Sequence, residues 1–226
     1  QGIYLWENSP YVKNYPELYF LNYVLFHRTN DEEIKPCRTY FWKKIKDKVQ
    51  GKAMVEAALE INHWCAGEVM YQGTDMRTGS ALEIYRSGVG RCGEEAVFVV
   101  NVMRSAGIPA RPVYVPRWSH CDDNHAWVEV WCDGDWHYLG ACEPEAVLDK
   151  GWFTNAASRA MMIGSRWYDR AMPDEKVIGK DGMNRIINLL GKYAKTRWIT
   201  ITVEDLDGTP AAGAKVRAEV MNYGEF

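Results

Sequence analysis

The 226-residue sequence has no apolar run of transmembrane length, no signal-peptide pattern, no internal repeat and no low-complexity segment. It also has no excess of positive charge, because 27 Lys and Arg stand against 30 Asp and Glu, for a net charge of −3. We therefore expect no membrane span in this chain and no nucleic-acid partner. Length and composition fit a soluble enzyme with one sizeable domain, or one domain and a fragment of another.

Cysteine is sparse and is not arranged for a disulfide framework or a metal site. Six cysteines are too few for a dense framework in a chain of this length, so we expect mostly reduced, buried thiols at Cys37, Cys65, Cys92, Cys121, Cys132 and Cys142. His120, Cys121 and His125 lie close together, but neither a CxxC pair nor an HExxH segment accompanies them. We expect no metal and no cofactor.

One short segment carries the strongest chemical signal. Gly90-Arg91-Cys92-Gly93-Glu94-Glu95 is followed, 33 residues after the cysteine, by His125. A helix from Cys92 to a C-cap at Gly107 is predicted by apolar residues at helical spacing, namely Ala96, Val99, Met103 and Ala106. A helix start and a nearby imidazolium both lower the pKa of a thiol, so this pair is typical of a nucleophile and its base. The two glutamates would raise that pKa if they pointed at the sulfur.

His125 begins a second predicted element. Residues 125–131 alternate between two faces as a strand does, and Asp133-Gly134 predicts a two-residue hairpin with a return strand at 135–140. If Cys132 and Asp135 flank the turn, Trp127 lies opposite Gly140 and His125 opposite Cys142. Residues 110–116 predict another strand, so the order is cysteine helix, strand, histidine strand, hairpin, strand.

Three blocks in this order resemble a known family. They are Arg91-Cys92-Gly93-Glu94, Ser105-Ala106-Gly107-Ile108-Pro109-Ala110-Arg111, and His125-Ala126-Trp127-Val128-Glu129-Val130. Together they resemble the core of the transglutaminase-like superfamily, which includes transglutaminases, bacterial thiol proteases and peptide:N-glycanases on a papain-like fold. The resemblance covers roughly residues 55–155. It implies an α+β fold in which the cysteine helix packs on an antiparallel sheet bearing the histidine, with Cys92 as nucleophile and His125 as base.

The sequence departs from the family at its third catalytic position. The family has an aspartate about four residues past a tryptophan, and counting from Trp136 that position is Gly140. Such a residue orients the imidazole and stabilises its cation. Glu143 is the favoured substitute, although simple alternation places it on the face away from His125 unless a bulge or the end of the strand turns it round. Asp122 and Asp123, just before the histidine, are the other candidates.

The remaining chain gives weaker patterns. We divide it into an N-terminal helical region (1–50), a transglutaminase-like catalytic core (51–196) and a truncated start of a β-sandwich domain (197–226). Helices are predicted after an Asn30 cap and near residues 51–66, 80–87, 155–163 and 181–190. At the end, strand-like residues 197–203 and 214–220 flank an Asp207-Gly208 turn and resemble the opening hairpin of a carboxypeptidase-regulatory, immunoglobulin-type domain. We expect this hairpin to stay outside the catalytic core.

Two classes of function fit these residues. The first is a thiol enzyme that attacks a carboxamide through Cys92 and passes the acyl group to water, with hydrolysis favoured over cross-linking. The second is a catalytically impaired binding module, because the family's aspartate is Gly140 here. The expected partner is a peptide, protein or glycopeptide substrate. A secreted or periplasmic location is favoured by the first residues, which suggest a removed leader, and by the β domain that the last residues resemble, with the rest of a larger multidomain parent missing.

Several nearby residues have two readings. Trp127, Trp131 and Trp136 either line a groove for a sugar or peptide or pack the sheet, and packing is favoured. Glu129 is expected to be a hydrogen-bonded strand residue rather than an acid catalyst.

Overall fold

The computed structural model of the chain describes residues 1–73, 75, 77–167, 175–182 and 184–217. Its helices are α1 (Gly2–Asn8), α2 (Glu17–Phe20), α3 (Arg38–Val49), α4 (Met54–Glu68), α5 (Ala81–Ser87), α6 (Cys92–Ala106), α7 (Thr154–Ala157) and α8 (Leu190–Tyr193). Its strands are β1 (Met70–Tyr71), β2 (Val89–Gly90), β3 (Ala110–Val115), β4 (His125–Cys132), β5 (Asp135–Leu139), β6 (Gly164–Trp167), β7 (Val177–Asp181) and β8 (Asn184–Asn188).

Helix α6 has the bounds that the sequence predicts. Its first turn is capped by Glu94, whose carboxylate accepts a hydrogen bond from the backbone N–H of Arg91 at 3.2 Å. It ends at Gly107, which has φ of +87°, a left-handed conformation that glycine adopts without strain. Every residue from Gly93 to Ala106 is buried. The start of the helix, with Cys92, is therefore held at one place in the core.

The histidine strand lies inside an antiparallel sheet with the strand order β5-β4-β3-β6-β8-β7. Strand β4 begins at His125, and its turn to β5 has positive φ at both Asp133 and Gly134, as a two-residue hairpin requires. Cys132 pairs with Asp135 as predicted. The ladder stops at Leu139, however, so the predicted pairing of Trp127 with Gly140 does not form. Gly140 pairs instead with Glu143 across a tight turn.

The sheet separates two groups of buried side chains. On one face Ala110, Val128 and Val130 pack with α6 and with helices α3 to α5. On the other face Trp127 belongs to an aromatic cluster with Trp118, Tyr23, Phe153 and Trp167. The fold is thus α+β, with the cysteine helix packed on the antiparallel sheet that carries the histidine, as the sequence predicts.

Two predicted helices are wrong. No helix follows Asn30, because the Glu32 carboxylate folds back and accepts hydrogen bonds from the backbone N–H groups of Thr29 at 2.8 Å and Asn30 at 2.6 Å. Residues 181–190 are not a helix either, because strands β7 and β8 form a hairpin there. The Asp181-Gly182 pair, with φ of +57° at the glycine, is the turn signal that periodicity alone overlooked.

Other predicted elements are confirmed or shortened. Helices α4 and α5 match the predictions for 51–66 and 80–87, whereas α7 covers only three residues of the predicted 155–163 region. The N-terminal region is helical in short pieces, with a 3₁₀ turn at Val12–Asn14 and a π-helical turn at Leu21–Leu25 besides α1, α2 and α3. No helix in the described ranges is long and apolar enough to span a bilayer.

The C-terminal segment forms the predicted turn but not the predicted strand before it. Gly208 has φ of +82°, and Glu204 and Pro210 make an isolated antiparallel bridge. Residues 197–203 form no strand, and Trp198 is 84% exposed. The apolar side chains there lack a facing sheet, which explains why the strand-like sequence does not pair. The predicted strand at 214–220 extends beyond the described residues, which stop at 217 in this segment. The division of the chain into three regions stays a prediction.

We expect Gly107→Ala to destabilise the fold more than Gly134→Ala. Both glycines have positive φ, but a β-carbon on Gly107 would lie 2.6 Å from Ser9 Oγ, whereas one on Gly134 would meet nothing within 4 Å. Strain at φ costs about 1 kcal/mol at both sites, and the clash raises the loss at Gly107 to about 2–4 kcal/mol. Urea unfolding measures both. Equal losses would show that the contact with Ser9 does not matter.

Candidate active site

Cys92 and His125 line one cleft of about 220 Å³. The cysteine is the first residue of α6 and the histidine is the first residue of β4. The backbone N–H groups of Gly93 and Ala126 lie close enough to the Cys92 sulfur to lower the pKa of its thiol. Since Ala126 directly follows the histidine, this contact places the sulfur against the start of the histidine strand. The two predicted residues are thus brought together, although their roles stay a prediction.

The thiol of Cys92 is not a preformed thiolate. Burial raises its pKa, while the backbone N–H groups of Ala126 and Gly93 and the charge of Arg91 lower it, and Glu95 raises it further. Burial is the largest of these effects, so the pKa of the free thiol lies above its ordinary value. At neutral pH the resting sulfur is therefore protonated and needs a base to become a nucleophile.

The two glutamates of the first turn raise the pKa of the Cys92 thiol less than the sequence suggests. Glu94 is occupied as a cap, since its other oxygen accepts a hydrogen bond from the backbone N–H of Gly79 at 2.9 Å. Glu95 is 3% exposed, and burial together with Glu143 raises its pKa to about 8. It is mainly a neutral carboxylic acid at pH 7. Of the two acids, Glu95 therefore raises the pKa of Cys92, and its effect is partial because it is mainly uncharged.

His125 is enclosed by aromatic rings. Its ring centroid lies 4.7 Å from that of Trp152 and 5.0 Å from that of Phe153, with Trp118 and Trp127 further away. Burial lowers the pKa of His125 to about 4, an effect that Asp123 opposes. The imidazole is therefore neutral at pH 7 and able to accept a proton.

Glu143 is the carboxylate that the fold turns toward His125. Its Oε2 lies 3.9 Å from His125 Nε2, an ion-pair distance longer than a hydrogen bond. Both atoms are buried, and neither has a hydrogen-bond partner among the described residues. The other oxygen accepts a hydrogen bond from Trp152 Nε1 at 3.0 Å. Burial raises the pKa of Glu143, and the bond from Trp152 lowers it.

Gly140 makes room for this arrangement. A β-carbon built on Gly140 would overlap Oε2 of Glu143 and would lie 2.8 Å from its Cβ. The glutamate therefore fills the space into which a side chain at position 140 would extend. Strict alternation predicts the wrong face for Glu143 because the strand ends at Leu139 and Cys142 adopts a left-handed φ of +57°. The sequence allowed the end of the strand as one way to turn Glu143 toward His125, and the strand does end before Glu143.

The alternative carboxylates lie in the loop before the histidine strand. Asp122 is exposed and pairs with Arg117 at 2.5 Å. Asp123 accepts a hydrogen bond from the backbone N–H of Asn124 at 2.7 Å and acts on His125 only by raising its pKa. Of the three carboxylates, only Glu143 lies within 4 Å of a nitrogen of the imidazole. The sequence analysis predicted no role for Trp152, whose side chain is 64% exposed. The sequence feature that marks it is the pair of aromatic residues that follows Gly151.

The remaining predicted residues play structural parts. Glu129 is buried and paired with Arg111 at 2.6 Å, which confirms it as a bonded strand residue. Trp127 is fully buried in the aromatic cluster. Trp131 and Trp136 border a separate cavity of about 740 Å³ that contains neither Cys92 nor His125. In the part of the chain that the structure describes, no group of three or more His, Cys, Asp or Glu side chains is placed to hold a metal ion.

Comparison with known proteins agrees with the geometry at the level of the family. Residues 43–141 match the family model of the transglutaminase-like superfamily. The chain contains a transglutaminase-like core. A comparison with curated proteins finds no significant match.

Several solved structures are similar to parts of this transglutaminase-like chain. A candidate cysteine protease from Cytophaga hutchinsonii is 17% identical over 67% of this chain and 57% of its own, with a TM-score of 0.39. Legionella pneumophila LapG is 17% identical over 49% and 66%, with a TM-score of 0.40. Red sea bream transglutaminase is 17% identical over 49% and 25%, with a TM-score of 0.35. The chain thus spans between a quarter and two thirds of these proteins, and the likeness says nothing about its substrate.

We expect Cys92 to be the first cysteine labelled by limiting iodoacetamide, because it alone has a neutral imidazole in the same cleft. Since burial raises its pKa, the labelling rate should keep rising beyond the pH at which an ordinary thiol, of pKa about 8.5, levels off. Mass spectrometry of peptides from pH 6 to 10 measures this. Half-buried Cys121 is the natural competitor, and Cys121→Ser provides the matched control. Earlier labelling of Cys121 or Cys142 would contradict the assignment.

Proposed function

We propose that this chain is a thiol enzyme that cleaves a carboxamide bond through a thioester on Cys92. The observation that carries the proposal is the turn that brings the Glu143 carboxylate to the imidazole of His125, which shares a cleft with Cys92. The three side chains then have the roles of nucleophile, base and orienting carboxylate. Glu143 takes the part that the family gives to an aspartate at the position of Gly140.

The reaction starts from an uncharged pair. A raised pKa at Cys92 and a lowered pKa at His125 keep the proton on sulfur at neutral pH. When an amide carbonyl enters the cleft, His125 takes the proton, the sulfur bonds to the carbonyl carbon, and negative charge develops on its oxygen. The start of α6 favours that charge. The imidazolium then gives its proton to the leaving amine, which departs with the electrons of the C–N bond and leaves a thioester.

Deacylation returns the site to its initial state. Water loses a proton to His125 and attacks the thioester, and the thiolate that leaves recovers the proton. Each half of the cycle passes through an imidazolium, which the aromatic surroundings of His125 disfavour. A carboxylate 3.9 Å from Nε2 offsets that cost only while the ring is charged. Glu143 thus stabilises the states with a charged imidazole more than the resting state.

Water is favoured over an amine as the second substrate. The loop from Arg117 to Asn124, which precedes the histidine strand, is polar, and Asn124 lines the cleft. A transferase must exclude water from the thioester, and a polar border at Asn124 favours a site that water can enter. The acids of the loop attract cations, so a lysine acceptor is the competing outcome.

A binding module without activity is the second candidate. It is favoured by the same 3.9 Å separation, since Nε2 of His125 and Oε2 of Glu143 are both buried without a hydrogen bond among the described residues. A catalytic pair normally reaches about 2.6–3.2 Å, although such bonds often tighten only when substrate binds.

We expect the protein to hydrolyse an amide substrate and Cys92→Ala to abolish that activity. A glutamine-containing peptide and, separately, a glycopeptide would be incubated with and without a primary amine, and products would be identified by mass spectrometry. Free acid should exceed the amine adduct in both mixtures. Adducts that outpace hydrolysis would make the chain a transferase. No turnover by either protein would leave the binding module, and equal turnover by both would show that Cys92 is not the nucleophile.

The proposed replacement of the family's aspartate by Glu143 can be tested by restoring an aspartate at position 140. We expect Glu143→Gly to lower kcat/KM by about 100-fold, because the charged imidazole loses its counter-charge. Gly140→Asp alone should also be impaired, since its β-carbon overlaps Glu143. The double variant removes the overlap and restores the family's aspartate, so it should recover much of the activity of the wild type. A double variant no better than Glu143→Gly would refute the idea that one carboxylate replaces the other.

A further inference from the structure

Asn62 makes three hydrogen bonds to the turn that carries Glu143. It lies on α4 and is 1% exposed. Its Nδ2 donates to the carbonyl oxygen of Gly140 at 2.9 Å and, at a longer 3.5 Å, to that of Glu143. Its Oδ1 accepts a hydrogen bond from the backbone N–H of Cys142 at 3.0 Å. One amide side chain thus binds three of the four residues of the turn.

The turn has reason to need this support. Cys142 holds a left-handed φ of +57°, which is unfavourable for a residue with a β-carbon. Within the turn, the backbone N–H of Glu143 donates to the oxygen of Gly140 at 3.1 Å. The bonds from Asn62 therefore add to a turn that already has one internal hydrogen bond and an unfavourable residue, and they join it to a helix of the core.

The neighbours of Asn62 on its helix make the amide conspicuous. Ala58, Ile61 and Cys65 share its buried stripe and are all apolar, and a buried amide is costly unless it is bonded. The polar side chain thus serves the turn rather than the packing of α4.

We propose that Asn62 is a positioning residue for Glu143. By fixing the turn at Gly140 and Cys142, it holds the Glu143 carboxylate beside Nε2 of His125 and so acts on Cys92 through the imidazole. The inference rests on the proposed function, because it assumes that Glu143 supports the base. It adds a fourth member to the site, contributed by a helix that carries none of the three reacting groups.

The test uses the full chain and a reaction that needs no substrate. The pH profile of Cys92 alkylation by iodoacetamide would be measured for wild type, Glu143→Gln, Asn62→Leu and Asn62→Asp. Arg91, Glu95 and Asp123, the other charged or titratable groups acting on Cys92 and His125, are unchanged in all of them. Asn101→Leu is the matched control, since Asn101 is a buried asparagine that bonds to Thr29 and Val97 instead of the turn.

We expect Glu143→Gln to slow alkylation at pH 7 by about five- to tenfold, because it removes the counter-charge of the imidazolium. Asn62→Leu should produce the same shift, and adding it to Glu143→Gln should change nothing further. Asn62→Asp keeps the acceptor for Cys142 but loses the donor, so its profile should lie between those of wild type and Asn62→Leu. Asn101→Leu should lower the melting temperature and leave the profile unchanged.

The outcomes separate the two proposals. If Glu143→Gln shifts the profile and Asn62→Leu does not, or if their effects add, Asn62 is only a structural residue and the inference is wrong. If Glu143→Gln leaves the profile unchanged, the role of Glu143 is lost and that of Asn62 with it. A shared shift without turnover of any amide would uphold Asn62 as a positioning residue and reject the hydrolase.

Discussion

Helix α6 has no solvent-facing side between Gly93 and Ala106, and its polar side chains must find their partners inside the protein. Arg104 does so by donating to the carbonyl oxygens of Phe26, Arg28 and Ala110. These bonds would break if the helix slid or rotated. The position of Cys92, and with it the whole site, depends on this enclosure.

Short sequence patterns predicted the two elements that carry Cys92 and His125, because neighbouring residues determine where those elements begin and end. The spacing of apolar residues and Gly107 located the helix of Cys92, and Asp133-Gly134 located the hairpin after His125. The hairpin at Asp181-Gly182 carries the same kind of turn signal, but the apolar spacing near 181–190 favoured a helix. Asn30 has the residue type of a cap, yet the side chain of Glu32 claims the backbone groups first. The spacing of apolar residues reveals neither the turn at Asp181-Gly182 nor the hydrogen bonds of Glu32.

The alternation of side chains along a strand could not predict the position of Glu143, for a different reason. Its position depends on where a strand stops, on one residue with a left-handed backbone and on an amide from a distant helix. Glu143 was the favoured candidate because of its chemical type and its closeness in sequence to Gly140, whereas nothing in the sequence distinguished Asn62 or Trp152. The same burial that brings the groups together also keeps them uncharged, so a base of low pKa and a thiol of high pKa are the expected product of this packing.

Strand β5 is the outer strand on its side of the described sheet, and the turn bearing Glu143 continues from its end. His125, by contrast, begins a strand paired on both sides, and Cys92 begins an enclosed helix. Substitutions at the sheet margin therefore disturb fewer neighbours than substitutions at either of those positions. Packing therefore constrains the position of the carboxylate less than it constrains the positions of the cysteine and the histidine. Divergence among enzymes built on this core is expected to be recorded in the third position before the other two.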